Sequence, residues 1–581
     1  MTRLLLVALL SISVCACKQE DPNAKFDSFK ESFIEQFWEV NPGWASSVGY
    51  HRYDSVLTIP DQASNNKNLA FASEKLAALS EFDLTALSDN NKTDYYLIKN
   101  QLEGMQWYLN EERSWEWNPS QYNVSGLFAD MLVNDYDTLD TRLRNFKSRL
   151  GSVPGYYAAA RENIKNPTKE HTKLAIDQNL GGVSVFEDDL SAALEKSHLD
   201  ETEKSEITQL AARAVEAIHG YAEWLRALQN ENPRSFRLGK ELYPAKFAFE
   251  IQSAYSVDEI YDKAVSRKEM LHQKMAALAT ELWPKYMGEA PKPADSLAMV
   301  KQLIDRISLT HVSPDSFQTA IEKQIPELAA FVTKKDLLFI DPARPLVVRK
   351  EPAYMAGVAG ASISAPGPYD KKGNTYYNVG SLAGWEPDRA ESYLREYNHY
   401  VLQVLNMHEA IPGHYAQLVY SNQSPSIIKS VFGNGAMVEG WAVYTELMML
   451  ENGYGNNQPE LWLMYYKWNL RTVCNTILDI SVHTKGMTEE EALDLLINEA
   501  FQQEAEARGK WTRVQVSSVQ LCSYFTGFAE IYDLREELKA KLGDDFDLRS
   551  FHEKFLSYGS APVKYIRTLM LSESRDGSDA K

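Results

Sequence analysis

Residues 393–414 read YLREYNHYVLQVLNMHEAIPGH, and this stretch is the most informative one for predicting the fold and the chemistry of the chain. Its aromatic and aliphatic residues recur at spacings of three and four, the period of one face of an α-helix. The pattern predicts a helix that carries His408 and Glu409 near its end. Pro412 removes the backbone hydrogen bond to residue 408 and Gly413 tolerates the bend that follows, so we expect the helix to kink there.

The six-residue spacing of His408 and His414 makes this kink essential. The common zincin motif places two histidines four residues apart, on one helical face. An unbroken helix turns about 100° per residue, so six residues would carry the second histidine about 240° away from the first. A kink at residues 412–413 can return it to the same side. The sequence therefore predicts a metal site in which a helix break brings the two histidines together.

A third metal ligand is predicted on a second helix. Residues 435–444 read GAMVEGWAVY and begin a helical pattern, in which Glu439 stands 25 residues after His414. A carboxylate is the usual third ligand beside two histidines. Glu446 lies seven residues further along the same face and is an alternative candidate, as ligand or as supporting carboxylate. A lone His-Glu pair is usually solvated surface or core, but the ordered combination favours one zinc ion per chain, held by His408, His414 and Glu439.

The predicted ligand set also predicts a reaction. Three protein ligands leave a fourth position for water, whose pKa zinc lowers to about 7. Glu409, next to the ligand His408, would accept the proton of that water as it attacks a carbonyl and would pass it to the leaving amine. The expected activity is therefore that of a zinc metallohydrolase that cleaves amide bonds.

Helical periodicity dominates the rest of the chain. The stretches with apolar residues at spacings of three and four are Phe26 to Trp38, Leu69 to Leu79, Lys92 to Tyr108, Asp140 to Leu150, Leu174 to Leu194 and Thr202 to Asn230. The pattern breaks once, between about residues 337 and 382, where the composition is typical of strands and of one hairpin. The segments are Leu337–Ile340, Pro345–Val348, and the hairpin of Ala361–Ser364 with Thr375–Val379. We predict a mainly α body with one small antiparallel β-sheet next to the zinc site.

The first residues of the chain indicate export. Arg3 is followed by an apolar stretch too short to span a bilayer, which is typical of a signal peptide. Residues 14–17 read VCAC and resemble a bacterial lipobox, so we expect residues 1–16 to be removed and Cys17 to carry acyl chains that anchor the protein to the membrane. An ordinary cleaved signal peptide is the alternative. Lys18 stands where an aspartate would favour the inner membrane, so the outer membrane, facing the periplasm or the cell surface, is expected.

Composition indicates the domain organisation, the type of partner and the state of the cysteines. We expect a lipidated linker over residues 17–25, a single helical zinc-hydrolase domain over 26–571 and a flexible polar tail over 572–581. The formal net charge of −20 and the lack of a basic stripe argue against nucleic acid as a partner. Beyond the signal region the chain has two cysteines, Cys474 and Cys522, which form no disulfide framework and are predicted to be buried thiols.

These motifs resemble those of the bacterial family named domain of unknown function 885. The resemblance rests on residues 408–414 and 439–442 and covers nearly all of the mature chain. Further matching segments are residues 479–483, 523–527, 534–535 and 546–552. Members of the family resemble helical zinc peptidases, including thermostable carboxypeptidase, the thimet-type oligopeptidases and dipeptidyl peptidase III. The resemblance implies a mostly helical body with a deep channel, the same three zinc ligands, and Glu409 as the base.

Two further residues are predicted to act on the substrate. Attack on an amide creates a negatively charged oxygen, and zinc peptidases commonly stabilise it with a tyrosine or histidine donor. His483 ends a segment in which Asp479 could orient its ring, and Tyr524 stands shortly before Gly527, which permits close approach to a channel wall. With the resemblance, these positions predict that His483 and Tyr524 donate to the oxyanion. The alternative readings are a satisfied buried histidine and a core tyrosine. Residues 516–520 lack the proline expected before Tyr524, so this loop departs from the family pattern.

Three functions fit these observations. The first is a metallopeptidase that cleaves short peptides outside the cytoplasm, supported by the hairpin, since an edge strand beside a zinc site can pair with an extended peptide. The second is a zinc amidase acting on a small acyl-amide. The third is a lipoprotein that binds or scaffolds without turnover, against which the complete ligand set and the base both argue. The sequence leaves open the substrate, the choice between terminal and internal cleavage, and the oligomeric state.

Overall fold

The computed structural model describes residues 21–228, 230–351, 361–370, 374–382, 384–424 and 426–576, so the predicted signal peptide, Cys17 and the end of the tail lie outside the described residues. Helices make up most of the described chain, which confirms the mainly α fold. In chain order they are α1 Pro22–Val40, α2 Pro42–Ser47, α3 Gln62–Ser80, α4 Asp89–Trp107, α5 Ser114–Trp117, α6 Ser125–Val133, α7 Leu139–Leu150, α8 Val153–Asn163, α9 Lys169–Gly181, α10 Asp188–Lys196, α11 Glu201–Ala227, α12 Gly239–Glu250, α13 Val257–Met287, α14 Ser296–Ile307, α15 Phe317–Lys334, α16 Pro387–Glu396, α17 His399–Glu409, α18 His414–Ser421, α19 Ile427–Val431, α20 Gly435–Glu451, α21 Pro459–Ile480, α22 Glu489–Asp494, α23 Glu504–Val516, α24 Ser523–Leu542, α25 Leu548–Ser557 and α26 Val563–Asp576.

Most helices form where the periodicity predicts them, and side-chain caps fix many of their starts. The pattern over residues 202–230 corresponds to α11, whose first turn is capped by the carboxylate of Asp200. The prediction of one continuous helix over residues 174–194 is wrong, because the chain leaves the α-helix at Gly182, between α9 and α10. A Cβ at Gly182 would lie 2.0 Å from the hydroxyl oxygen of Ser125. The chain turns at this glycine because its backbone lies directly against α6.

The small sheet consists of β1 (Leu346–Lys350), β2 (Ala361–Ser364) and β3 (Thr375–Val379), in the order β1-β3-β2. β2 and β3 pair antiparallel, with Ile363 opposite Tyr377, which confirms the predicted hairpin. β1 pairs with β3 in parallel, so the sheet is mixed and the prediction of an antiparallel sheet is wrong. Parallel pairing needs a long connection, and the segment that contains β2 supplies it.

Residues 337–340, predicted as a strand, lie outside the sheet. Leu337 and Leu338 are only 2% and 3% exposed, because they pack into the helical core after α15. The N–H of Leu337 donates to the carbonyl of Val332 and so satisfies one of the last acceptors of α15. A short apolar run can serve either a strand or a core segment, and periodicity alone does not separate the two.

Three clusters of buried apolar side chains hold the described chain together. The largest joins helices from α12 to α26, and the second lies mainly within α6 to α11. The third joins α1, α3 and α4 to Ile428 and Val431 of α19. Across the third cluster, the buried side chains of Lys429 and Asp94 form an ion pair, and Lys30 of α1 contacts the same carboxylate at 2.9 Å. The N-terminal helices therefore pack on the segment that leads into α20.

The structure also shows the state of the cysteines and the bounds of the helical body. Cys474 and Cys522 are buried free thiols, as predicted. The helical body begins at Pro22, somewhat before the predicted start at residue 26, and α26 continues to Asp576, beyond the predicted end at 571. Among the described residues, no helix is both long and apolar enough to span a membrane.

Candidate metal centre

Helix α17 carries two residues of the predicted site, His408 and Glu409. It begins after Asn398, whose side-chain oxygen accepts hydrogen bonds from the N–H groups of Tyr400 and Val401, and it ends at Glu409. The predicted helical face that starts at Tyr393 is not continuous, because residues 397–398 separate α16 from α17. An asparagine N-cap starts a new helix at this point. The prediction that His408 and Glu409 stand near a helix end is confirmed.

The break between the two histidines is also present. α17 ends at Glu409, α18 begins at His414, and the Ile411–Pro412 peptide bond between them is cis. A Cβ at Gly413 would lie 1.9 Å from the carbonyl oxygen of His408, so only glycine fits this bend. The indole N–H of Trp441, on α20, donates to the carbonyl of Pro412 at 2.9 Å. The Pro-Gly break and the Glu-Gly-Trp helix, separate motifs in the sequence, therefore contact each other directly.

The three predicted ligands converge. Glu439 Oε2 lies 3.3 Å from His414 Nε2 and 3.7 Å from His408 Nε2. All three ligand atoms lie within 4.8 Å of one another, and the imidazole rings are nearly perpendicular. A tetrahedral zinc ion with bonds of about 2.0–2.1 Å holds its ligand atoms about 3.3 Å apart. The two distances from Glu439 are therefore close to what a bound zinc ion requires.

The hydrogen bonding of the cluster also fits a metal ion. Among the described residues, the buried Oε2 of Glu439 has no hydrogen-bond partner, although it faces two imidazole nitrogens. A buried carboxylate oxygen without a partner is costly, and a cation between it and the imidazoles would satisfy it. The chemistry of the donor set, two imidazoles and one carboxylate, is that of zinc sites that retain an open position.

Glu446 supports the cluster from behind. Its Oε1 lies 2.8 Å from His408 Nδ1 and accepts a hydrogen bond from the indole N–H of Trp468 at 3.0 Å. This contact turns the other ring nitrogen of His408, Nε2, toward Glu439. Of the two roles left open for Glu446, the geometry favours the supporting carboxylate, because a carboxylate on the far nitrogen fixes the tautomer and orientation of a ligand histidine.

The charges within the cluster stabilise each other. Burial lowers the pKa of His408, but the nearby carboxylates of Glu439 and Glu446 outweigh it and raise the pKa to about 10. Burial also opposes ionisation of Glu439, yet the nearby imidazoles of His414 and His408 lower its pKa well below the usual range. Burial raises the pKa of Glu409, against the charges of the two histidines. A raised pKa suits a carboxylate that has to accept a proton.

Glu409 lies where a base is expected. It directly follows His408 at the end of α17 and is partly exposed. Its charge acts on Tyr377 of β3, whose pKa is raised mainly by burial and then by Glu409. The hydroxyl of Tyr377 donates to Asn406 in α17 at 2.8 Å. The sheet therefore packs beside the candidate base, next to the cluster as predicted.

Tyr524 is brought to the cluster by a close helix crossing. A Cβ at Gly440 would lie 2.2 Å from the carbonyl carbon of Gly527, and a Cβ at Gly527 would lie 1.7 Å from the carbonyl oxygen of Ala436. The backbones of α20 and α24 therefore touch, which places Tyr524, one turn before Gly527, alongside Glu439. After burial, the charge of Glu439 is the next cause of the raised pKa of Tyr524.

His483 has a different environment from the one predicted. Its Nε2 lies 3.0 Å from the carbonyl oxygens of both Val514 and Ser517, and its Nδ1 accepts weakly from the N–H of Leu238 at 3.4 Å. Both ring nitrogens thus contact the backbone, and the ring braces the end of α23; the predicted donation from His483 to the oxyanion stays a prediction.

The prediction that Asp479 orients the ring of His483 is wrong. The Asp479 carboxylate accepts hydrogen bonds from Tyr243 and from the N–H of Val519 instead. Val519 lies in the loop that lacks the expected proline and adopts φ +71°, which is rare for a β-branched residue. The contact with Asp479 helps to hold this backbone. No local pattern indicates this contact, because the two residues are 40 positions apart.

The fold and the cluster together define a class: a mainly α protein with a two-histidine, one-carboxylate candidate metal centre built across a helix break. The family model described as "Bacterial protein of unknown function (DUF885)" matches residues 42–570, and the chain belongs to that family. No curated protein matches the chain.

Two solved structures are similar over nearly their whole length. One is described as "a putative lipoprotein of unknown function from Shewanella oneidensis"; it is 54% identical, has a TM-score of 0.86, and the match covers 94% of this chain and 99% of that one. The other, "the putative lipoprotein from Colwellia psychrerythraea", is 17% identical, with a TM-score of 0.78 over 94% of this chain and 98% of that one. At 17% identity, the second match shows similarity of the fold only.

Proposed function

We propose that this chain is a zinc-dependent hydrolase that cleaves amide bonds in short peptides outside the cytoplasm. The observation that carries the proposal is the buried, unpartnered Oε2 of Glu439, which faces the Nε2 atoms of His408 and His414, with Glu409 beside them. A purely structural cluster would satisfy that oxygen with a hydrogen bond. A binding scaffold would have no need of a partly exposed carboxylate next to the ligands.

The residues of the chain divide the work of such a reaction. Zinc, when bound, activates water and polarises the substrate carbonyl. His408, His414 and Glu439 would hold it, with Glu446 keeping His408 in the required tautomer. Glu409 accepts the proton of the attacking water and returns it to the leaving amine, and the hydroxyl of Tyr524 donates to the oxygen that becomes negative.

The edge position of β2 favours a peptide over a small amide as the substrate. β2 stands at one edge of the sheet, since β3 lies between it and β1. An edge strand can pair with an extended peptide through backbone hydrogen bonds, which are independent of the peptide's sequence. The charge of Glu409 acts on β3, the neighbour of β2, so a peptide paired with this edge would lie close to the base.

Export and anchoring complete the proposal. The signal-like N-terminus and the lipobox-like residues 14–17 indicate an acyl anchor on Cys17. The 54% identical protein from Shewanella oneidensis is itself described as a putative lipoprotein. We place the protein in the cell envelope, attached to the outer membrane.

The test compares zinc-loaded wild type with Glu409→Gln on a random peptide pool and on a set of acyl-amides, read by mass spectrometry. Wild type should cleave peptides. Glu409→Gln should keep its zinc and lose about 10²–10⁴-fold in turnover, because only the proton acceptor is removed. Glu327→Gln, which changes an exposed carboxylate on α15, is the matched control and should behave as wild type.

Each other outcome points to a different function. Cleavage of acyl-amides without any peptide would replace the peptidase with an amidase. Zinc-loaded protein that is inert on both sets would favour the non-catalytic scaffold. Near-normal turnover by Glu409→Gln would show that another group accepts the proton.

A further inference from the structure

An exposed arginine next to the helix that carries Tyr524 has no part in the proposed mechanism. Arg513 lies in the last turn of α23 and is exposed to solvent. Its Nη2 donates to the side-chain oxygen of Gln520 at 2.6 Å. Gln520 begins the short 3-10 turn that leads into α24, four residues before Tyr524. The guanidinium is therefore held at the start of the helix that carries the candidate oxyanion donor.

Tyr524 connects Arg513 to the metal cluster. Burial raises the pKa of Tyr524 and the charge of Glu439 raises it further, whereas the charge of Arg513 and hydrogen bonds with Gln520 and Arg513 lower it. The geometry agrees with this: Tyr524 lies one turn before Gly527, where α24 touches α20 at Gly440, and Glu439 directly precedes Gly440. Glu439 and Tyr524 are partly exposed and Arg513 is exposed, so a solute can reach all three.

Among the described residues, no carboxylate forms an ion pair with Arg513. Glu506, the acidic residue that senses its charge, is already bound by Arg471 at 2.7 Å and lies 3.9 Å from the buried Lys510. In the described part of the chain, Arg513 takes part in no ion pair. In a chain with a net charge of −20, carboxylates that could neutralise it are abundant, yet none does. The positive charge is therefore left at the start of α24, without a carboxylate partner among the described residues.

We propose that Arg513 binds a carboxylate of the substrate, so that the preferred substrates are peptides with a negative charge close to the scissile bond. This inference rests on the proposed function. A guanidinium presents parallel N–H groups that match the two oxygens of a carboxylate, which makes arginine a specific receptor for that group. Arg513 would act beside the reacting atoms as a specificity-determining residue.

Two sources could supply this carboxylate. One is the free C-terminus of the peptide, in which case cleavage removes the last residue or the last few, since an extended chain advances about 3.3 Å per residue. The other is an aspartate or glutamate side chain near the scissile bond, in which case cleavage can be internal. The chemistry of recognition is the same for both, and substrate variants separate them.

A structural role for Arg513 makes a different prediction. If the arginine only braces the turn at Gln520, its loss would displace Tyr524 and lower turnover on every substrate by the same factor. If it binds a carboxylate, its loss would act on charged substrates selectively and mainly through KM. The ratio of kcat/KM for a charged and an uncharged form of one peptide therefore separates the two roles.

The experiment takes the peptide that wild type cleaves best in the random pool and prepares it as the free acid, as the C-terminal amide, and as an amide with one internal aspartate. Zinc-loaded wild type, Arg513→Gln, Arg513→Lys and Arg508→Gln are compared. Arg508 lies on the same helix but pairs with Glu504, so it is the matched control. Zinc content and Tm are recorded for each variant, so that a misfolded protein is recognised.

Wild type should prefer a charged form over the neutral amide by about 10- to 100-fold in kcat/KM. This ratio corresponds to the free energy that hydrogen bonds to a charged group typically contribute. Arg513→Gln should bring that ratio close to one, Arg513→Lys should retain part of it, and Arg508→Gln should retain all of it. Preference for the free acid identifies the C-terminus, and preference for the aspartate peptide identifies the side chain.

Equal cleavage of all three forms by wild type would overturn the inference and leave the proposed function intact. An unchanged ratio in a folded Arg513→Gln or Arg513→Lys protein would do the same. Failure of wild type to cleave any peptide in the pool would instead overturn the proposed function, and this inference with it.

Discussion

At the scale of single residues, a change of Glu446, which contacts His408, tests the metal centre most directly. Glu446→Gln keeps the shape of the side chain but removes the charge that orients His408 through Nδ1. Supporting carboxylates of this kind contribute about 10- to 100-fold to metal affinity. We expect the zinc affinity to fall by that factor in competition with a chelator of known affinity.

Two comparisons define the outcome for Glu446. Glu451→Gln changes an exposed carboxylate at the end of the same helix and should leave the zinc affinity unchanged. Alanine at His408, His414 or Glu439 should abolish stoichiometric zinc binding, because three ligands leave no redundancy. Full zinc in the His414→Ala variant would show that the second histidine is not a ligand.

Tyr524→Phe tests the remaining candidate oxyanion donor. The ring stays and only the hydroxyl beside Glu439 is lost, so the fold and the zinc content should not change. Loss of one such donor typically lowers turnover by about 10²–10³-fold. We expect kcat to fall by that factor with little change in KM. Tyr532→Phe, two turns further along α24, is the control, and an equal effect of both variants would remove Tyr524 from the site.

At the scale of elements, the crossing of α20 and α24 sets the distance between Glu439, the proposed metal ligand, and Tyr524. The two helices touch at Gly440 and Gly527, where there is no room for a Cβ. Gly527→Ala would push a methyl group into the carbonyl of Ala436, so the helices must separate. We expect a loss of about 1–3 kcal/mol in the free energy of unfolding, together with reduced turnover.

A second glycine in a helix provides the control for this crossing. Gly509 lies within α23 and has open space where a Cβ would be added. Gly509→Ala should therefore raise the free energy of unfolding by about 1 kcal/mol, since alanine favours the helix and narrows the unfolded ensemble. Urea titrations measure both variants. If Gly527→Ala were as stable as Gly509→Ala, the close contact of α20 and α24 would not exist in solution.

At the scale of the whole molecule, buried neutral histidines couple stability to pH. His171 joins the N-terminal half to the end of α23 through the carbonyl of Val516, and burial lowers its pKa to about 4. Because the folded-state pKa lies below the unfolded value of about 6.5, the unfolded chain binds the proton first. The contribution of His171 is present above pH 6.5 and is lost as the pH falls toward 4, by about 3 kcal/mol in total.

His171→Gln isolates this contribution, because glutamine does not titrate. The variant should be less stable than wild type near pH 7, where it loses the packed ring, and the difference should shrink as the pH falls from 6.5 to 4. Urea unfolding of the zinc-loaded proteins at several pH values measures it, and effects of the metal ligands cancel between the two. A difference that does not change with pH would mean that His171 has the same pKa in the folded and unfolded states, so that burial does not lower it.

Features that depend on residues close together along the chain could be predicted without the structure. Helical periodicity placed most helices, and the Pro412-Gly413 pair indicated the kink that returns His414 to His408. The spacing to Glu439 was sufficient to predict the third ligand, because a helix, a turn and a returning helix form a local unit. The same reasoning also indicated that Glu446 shares a face with Glu439.

The tertiary structure alone decided which distant elements meet. It paired β1 with β3 in parallel, brought α20 against α24, and occupied the nitrogens of His483 with the backbone of α23. It also separated α9 from α10 at a glycine that faces another helix. Such contacts join residues tens to hundreds of positions apart, and their energies depend on shape and on partners that no local pattern encodes. For the same reason, an exposed residue such as Arg513 gained a candidate role only once its neighbours were known.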